Sequence, residues 1–128
     1  MNEQDISKQR AWAITSMVLL IMDVIGILVL TVLTMTTKAH FEKAFKDLGV
    51  QLPIITGILL SIPSVIYLGF FGGLIVMLVL KEKFIQRAPL RFTVNLFAAV
   101  VGLAYLALYM IAMFLPLIQT IDTLNKGK

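Results

Sequence analysis

The chain of 128 residues contains no cysteine, a single histidine and only 14% charged residues. Without cysteine it can form no disulfide, no thiolate metal site and no cysteine nucleophile. His40 alone cannot build a multi-histidine metal site, and the sequence has no glycine-rich phosphate loop, paired carboxylates or metal-ligand cluster. We therefore expect a protein that is not an enzyme, with no catalytic residues, no cofactor and no bound metal.

Long apolar runs make up most of the remainder. Hydrophobic residues amount to 59% of the chain, and three runs cover residues 12–35, 53–80 and 91–115. About 20 predominantly apolar residues are enough for a helix to cross about 30 Å of hydrocarbon. We predict an all-α integral membrane protein in which residues 1–128 form a single membrane domain with three transmembrane helices. The net charge of +4 comes from basic residues beside these runs, where they contact lipid headgroups, so we expect no nucleic-acid partner.

The segment between the first two runs, residues 38–48, has the pattern of an amphipathic helix. Phe41, Phe45 and Leu48 are spaced i, i+4 and i+7, which places them on one helical face. Gly49 follows in a position typical of a C-cap. We predict a short outer helix whose apolar face lies against lipid headgroups or packs on the ends of the neighbouring helices. The pattern does not choose between these two surfaces.

The second run and the loop after it indicate a kink and an orientation. Residues 53–80 would form about 42 Å of helix at about 1.5 Å per residue, and Pro63 inside them predicts a kink. Residues 81–91 form the predicted loop to the third helix and contain four basic residues, Lys81, Lys83, Arg87 and Arg91. Because basic loops stay in the cytoplasm, we expect a multi-pass protein with a cytoplasmic N-terminus and an external C-terminus.

Asp23 lies near the centre of the first run, where an acidic side chain costs about 2.5–3.5 kcal/mol on insertion. The aliphatic residues around it offset this cost, but the carboxyl group should still face protein or water. Tyr67, Asn95 and Tyr105 are the candidate partners on the other two helices. We favour a role for this polar set in intramembrane packing; the alternative is a homo-oligomeric channel or transporter whose path Asp23 lines.

Two pairs of small residues are spaced for close helix packing. Gly69 and Gly73 form a G-x-x-x-G pair in the second run, and Ala98 with Gly102 forms a similar pair in the third. Small residues at this spacing let two helix backbones approach closely. The pattern fits packing of the second and third membrane helices on each other as well as association with another chain.

Residues 41–56 read Phe-Glu-Lys-Ala-Phe-Lys-Asp-Leu-Gly-Val-Gln-Leu-Pro-Ile-Ile-Thr. This segment resembles the one between the first two membrane helices of the F-family inner-membrane platform proteins of type II secretion and type IV pilus machines. Residues 113–118, Met-Phe-Leu-Pro-Leu-Ile, are similar to the end of that family's final helix. The resemblance implies the membrane core of such a platform. It also implies a place in the bacterial inner membrane, and a chain without the family's first cytoplasmic helical domain and with residues 81–91 in place of the second.

These features predict a small inner-membrane subunit that scaffolds or assembles a larger membrane complex through helix–helix contacts. The resemblance gives that role a secretion- or pilus-platform-like character. The expected partners are the lipid bilayer together with other membrane proteins or further copies of the chain. Two alternatives stay open: the channel or transporter subunit built around Asp23, and a membrane-surface regulator acting through Phe41, Phe45 and Leu48.

Overall fold

The computed structural model describes residues 2–49 and 52–126, apart from the side chains of Thr123 and Leu124. The described residues form four helices: α1 (Glu3–Leu48), α2 (Ile54–Ser61), α3 (Ser64–Phe84) and α4 (Ala88–Lys126). Three of them, α1, α3 and α4, contain stretches long and apolar enough to cross a membrane. The prediction of an all-α chain with three such helices is confirmed.

The first helix is much longer than the sequence predicted. α1 contains 46 residues in one uninterrupted helix, about 69 Å at about 1.5 Å per residue and over twice the hydrocarbon thickness of a bilayer. The segment 38–48, predicted as a separate outer helix, forms the last turns of α1. No glycine or proline lies between residues 27 and 48 to stop the helix. Gly49 ends it with a left-handed φ of 60°, in the C-cap position expected for it.

The threonine-rich stretch near residue 35 also fails to interrupt α1. The hydroxyl groups of Thr31, Thr36 and Thr37 donate hydrogen bonds to backbone carbonyls four residues earlier, at distances of 2.7, 2.8 and 2.5 Å. These threonines therefore satisfy their polar groups on their own helix, which continues through them.

The second apolar run is divided at Pro63, the residue at which the sequence places a kink. Ile62 has an extended backbone, with φ −67° and ψ 123°, and separates α2 from α3. Proline has no N–H, so the carbonyl of Leu59, four residues before Pro63, has no backbone donor from that position. The Tyr67 hydroxyl donates to this carbonyl at 3.0 Å. The neighbouring carbonyl of Ile62 accepts a hydrogen bond from the Lys38 ammonium group of α1.

A second proline also leaves a backbone carbonyl of α4 without its helical N–H donor. Pro116 lies inside this helix, which continues to Lys126 instead of ending near residue 115 as predicted. The carbonyl of Ala112 lacks its usual donor for this reason. It accepts a hydrogen bond from the Thr56 hydroxyl of α2 at 2.6 Å. Thr56 thereby completes the hydrogen bonding of α4 and joins α2 to it.

The longest interface of the bundle is between α1 and α4, which run parallel. Trp12 meets Phe92 near one end with ring centroids 5.3 Å apart, and Phe41 meets Phe114 near the other at 5.5 Å. α3 packs against α1 and makes fewer contacts with α4. The three spans therefore form an open arrangement in which α1 contacts both of the others.

The connection between α3 and α4 is shorter than predicted. Only residues 85–87 lie outside the two helices, whereas the sequence predicted a loop over 81–91. Charge pairing explains the longer helices: Glu82 forms ion pairs with Lys81 and with Arg91, each at 3.0 Å. These pairs let the basic residues remain helical and hold the start of α4 beside the end of α3.

Candidate functional site

The bundle buries polar side chains and exposes apolar ones. The buried polar residues are Ser16, Asp23, Thr34, Lys38, Thr56 and Asn95. Large aliphatic and aromatic side chains cover the outer faces of all three spans. In a bilayer this arrangement places apolar groups against lipid and keeps these polar groups inside the protein. We call the six buried residues the polar core.

The sequence of α1 explains how its polar residues come to share one face. Its five buried residues, Ser16, Asp23, Thr34, Lys38 and Phe45, follow one another at intervals of 7, 11, 4 and 7 positions. Each interval is close to a whole number of helical turns of about 3.6 residues. All five therefore point towards the other helices.

Hydrogen bonds of the polar core join α1 to α4 on both sides of Asp23. The fully buried Asn95 amide donates to the Ser16 carbonyl at 3.0 Å and to the Ser16 hydroxyl at 3.3 Å. Towards the other end, the Tyr109 hydroxyl donates to the Thr34 carbonyl at 3.2 Å and lies 3.0 Å from the Thr37 hydroxyl. Interhelical bonds of this kind contribute about 0.6 kcal/mol each on average. They fix the register of α1 against α4.

Asp23 lies between these two sets of interhelical hydrogen bonds, and one of its carboxyl oxygens has no partner in the described chain. Only 7% of the residue is exposed, and its Oδ2 atom makes no hydrogen bond to any described residue. None of the three candidate partners, Tyr67, Asn95 and Tyr105, is hydrogen-bonded to Asp23. The Tyr67 hydroxyl donates to the Leu59 carbonyl at the break between α2 and α3, and the Asn95 amide donates to Ser16. The buried Tyr105 hydroxyl, like the Asp23 Oδ2 atom, lacks a partner within the described chain.

The basic residues near the polar core are paired elsewhere. Lys81 of α3 has a Coulombic interaction with Asp23, but its ammonium group forms its ion pair with Glu82. Lys38 bonds to the Ile62 carbonyl and lies 5.9 Å from the centre of the Tyr67 ring. Neither forms an ion pair with Asp23.

A groove of about 400 Å³ between α1 and α4 includes Asp23 in its lining. We call it the Asp23 groove. Small residues from both helices line it, and every other lining side chain except Asp23 is aliphatic or methionine. The small residues are Gly26, Ala98, Ala99 and Gly102.

The two small-residue pairs occupy different places. A Cβ atom added to Gly102 would lie 3.7 Å from Leu30 of α1, so the Ala98–Gly102 pair faces α1. Gly69 and Gly73 of α3 are exposed, with no atom within 4 Å of an added Cβ. Of the two possibilities that the sequence left open, packing of the second and third membrane helices on each other through these pairs is not found among the described residues.

The predicted apolar face of residues 38–48 is partly used inside the bundle. Phe45 is buried, and Phe41 stacks on Phe45 while its edge meets Phe114 of α4. Leu48 is 57% exposed. Through Phe41 this face contacts a neighbouring helix, but at Phe114, well before α4 ends at Lys126.

Lys38, Thr34, Thr56 and Tyr109 were missed as members of the site. The signal for Thr34 and Lys38 was present, because both fall at whole-turn intervals from Asp23. Assigning Lys38 to a separate outer helix hid that relation. For Thr56, the relevant signal is Pro116, which requires a donor for the Ala112 carbonyl but does not specify where that donor comes from.

No family model, curated protein or solved structure matches this chain. The similarity to platform proteins rests on the motifs given above, of which Val50 and Gln51 lie outside the described residues. Among the described residues there is no cluster of three or more His, Asp or Glu side chains that could hold a metal ion.

Proposed function

We propose that this chain is a small, non-enzymatic subunit that scaffolds or assembles a larger complex in the bacterial inner membrane. Helix–helix contacts perform that role, in the manner of the membrane core of a secretion or pilus platform. The observation that carries the proposal is the outward position of Gly69, Gly72 and Gly73 on α3. All three are exposed, and no atom of the chain lies within 4 Å of a Cβ added at any of them.

Membrane helices have no hydrophobic driving force for association, because lipid tails are as apolar as their side chains. They associate where small residues allow close backbone contact. We call the surface of α3 formed by Gly69, Gly72 and Gly73 the glycine face. Within the described chain, no helix packs closely on it, because α1 contacts other positions of α3 such as Tyr67. The face is therefore suited to a helix from another polypeptide.

The inward direction of the polar side chains favours the subunit role over the homo-oligomeric channel. A path shared between copies requires polar groups on the outer faces of the bundle. Ser16, Thr34 and Asn95 instead bond between α1 and α4 of a single copy. The contacts of Phe41 with Phe45 and with Phe114 similarly favour a packing role for the end of α1 over surface regulation.

Enlarging the glycine face should disrupt the complex without unfolding the chain. We expect Gly69→Leu combined with Gly73→Leu to convert a large detergent-solubilised complex into the free subunit, as measured by size and co-migrating proteins. Helicity and thermal stability of the purified subunit should be retained, because open space surrounds both positions. The control, Phe70→Leu with Met77→Leu, changes two exposed residues on the flank of the same helix and should leave the complex intact.

An unchanged complex in the glycine variant would contradict the proposal. A wild-type protein that purifies only as a homo-oligomer would point to the channel alternative. A lone monomer in mild detergent, extracted from its native membrane, would count against both.

The proposed orientation can be tested with single cysteines, because the natural chain contains none. Lys83 and Lys46 are both exposed, one next to the α3–α4 connection and one at the end of α1. In intact cells, Lys46→Cys should react with an impermeant thiol reagent, and Lys83→Cys should react only after the membrane is opened. The reverse pattern would overturn the orientation and the platform analogy with it.

A further inference from the structure

We propose that the Asp23 groove receives a membrane-spanning helix of a different protein, one that presents a basic side chain to the Asp23 carboxyl group. The inference rests on the proposed function, because it names a partner for the same subunit. It concerns α1 and α4, whereas the glycine face lies on α3.

The first argument is the unmet hydrogen-bonding capacity of Asp23. Its Oδ2 atom is buried and unpaired within the described chain, in the middle of the first apolar run. Ionisable groups at this depth are costly and pair with one another, with backbone groups or with water in a cavity. The groove is the space next to Asp23 from which such a partner can approach.

The second argument is the shape of the groove. Its lining extends along α1 from Leu19 to Leu33, about 21 Å at about 1.5 Å per residue. That length corresponds to nearly four turns of a helix and exceeds what a compact ligand requires. Gly26, Ala98 and Ala99 leave room for another backbone to come close, as small residues do at membrane helix interfaces.

The third argument excludes a second copy of this chain as the occupant. The basic side chains nearest the polar core are bonded internally: Lys38 to the Ile62 carbonyl, and Lys81 and Arg91 to Glu82. The remaining lysines and arginines lie outside the three apolar runs. A second copy therefore has no free cation at the depth of Asp23, and the partner must be another protein.

The test uses the full chain in lipid vesicles with a synthetic Leu-rich transmembrane peptide as the probe. One peptide carries a single lysine at its centre, and the matched peptide carries leucine there. Energy transfer between dyes on chain and peptide reports binding. We expect the lysine peptide to bind at least about tenfold more tightly than the leucine peptide, equivalent to about 1.4 kcal/mol. Asp23→Leu should abolish the preference.

Two further variants distinguish the shape of the groove from the charge of Asp23, and distinguish the groove proposal from the subunit proposal. Gly26→Leu should block the lysine peptide while Asp23 remains, because the leucine fills the open groove. Gly69→Leu with Gly73→Leu should bind the peptide like the wild type. Asp23→Leu should keep its helicity, since the carboxyl Oδ2 has no partner in the described chain to lose.

Equal binding of the two peptides, or a lysine preference that survives Asp23→Leu, would overturn the inference. Tetraphenylphosphonium serves as the small-cation probe. If it binds in an Asp23-dependent way and Gly26→Leu does not block the lysine peptide, the groove is a small-molecule site and the helix proposal is wrong. If Gly69→Leu with Gly73→Leu breaks the native complex while the two peptides bind the wild-type chain equally, the subunit proposal stands and this one fails.

Discussion

Replacing Tyr67 with phenylalanine should lower the free energy of unfolding by about 1–3 kcal/mol, the range for leaving a buried polar group unpaired. The Tyr67 hydroxyl is the donor to the Leu59 carbonyl, which Pro63 cannot serve. In a bilayer, no water is available to replace it. The measurement is reversible unfolding in bicelles or mixed micelles, compared with the wild-type chain.

Tyr105→Phe is the matched control for Tyr67→Phe. Both changes remove one hydroxyl from a tyrosine inside the bundle, but the Tyr105 hydroxyl has no hydrogen-bond partner within the described chain. Because Tyr105→Phe takes an unpaired polar group out of the bundle, it should not lower the free energy of unfolding. Similar losses in the two variants would show that the bond across the break at Pro63 does not matter to stability.

Thr56→Val should lower the free energy of unfolding by about 1–2 kcal/mol. Valine has nearly the same shape as threonine, so the change removes the bond to the Ala112 carbonyl with little change in packing. The loss should largely disappear in a Pro116→Ala background. Alanine restores the N–H that α4 itself would donate to that carbonyl.

A double-mutant cycle over Thr56 and Pro116 measures this coupling directly. If Thr56→Val destabilises the chain equally in both backgrounds, the hydroxyl acts on something other than the carbonyl left free by the proline. Thr120→Val is not a suitable control, because its hydroxyl donates to the Pro116 carbonyl at 2.8 Å. Thr93→Val is a better one, since Thr93 is exposed and its hydroxyl bonds only within α4.

The general architecture followed from the sequence because it depends on local properties. Run length gives the number of candidate spans, a proline inside a run marks a break, and a glycine after an amphipathic pattern marks a helix end. Each property belongs to a few neighbouring residues and needs no information about the rest of the fold.

The extent of α1 was missed because polarity was taken to end a helix. Thr36, Thr37 and Lys38 indicate where the apolar run ends, but none of them is a helix breaker. A helix can continue past the end of its apolar run when no glycine or proline intervenes there, and α1 continues as far as Leu48, with Gly49 as its cap.

The contacts of the polar core could not be predicted from composition. Tyr67 and Asn95 have groups that could bond to Asp23, but the first follows Pro63 by four residues and the second faces Ser16. Which acceptor a donor chooses depends on tertiary register. The structure therefore leaves the Asp23 Oδ2 atom unpaired, although two of its three candidate donors are bonded elsewhere and the third, Tyr105, has no partner in the described chain.

The pairing of Thr56 with the carbonyl left free by Pro116 also constrains the order in which mutations can accumulate. A lineage that first replaces Pro116 regains the backbone bond, after which the hydroxyl at position 56 can be lost at little cost. A lineage that loses Thr56 first passes through an intermediate in which the buried Ala112 carbonyl has no hydrogen-bond donor, which is costly where water is absent. Descendants of this chain should therefore keep threonine or serine at position 56 for as long as proline occupies position 116.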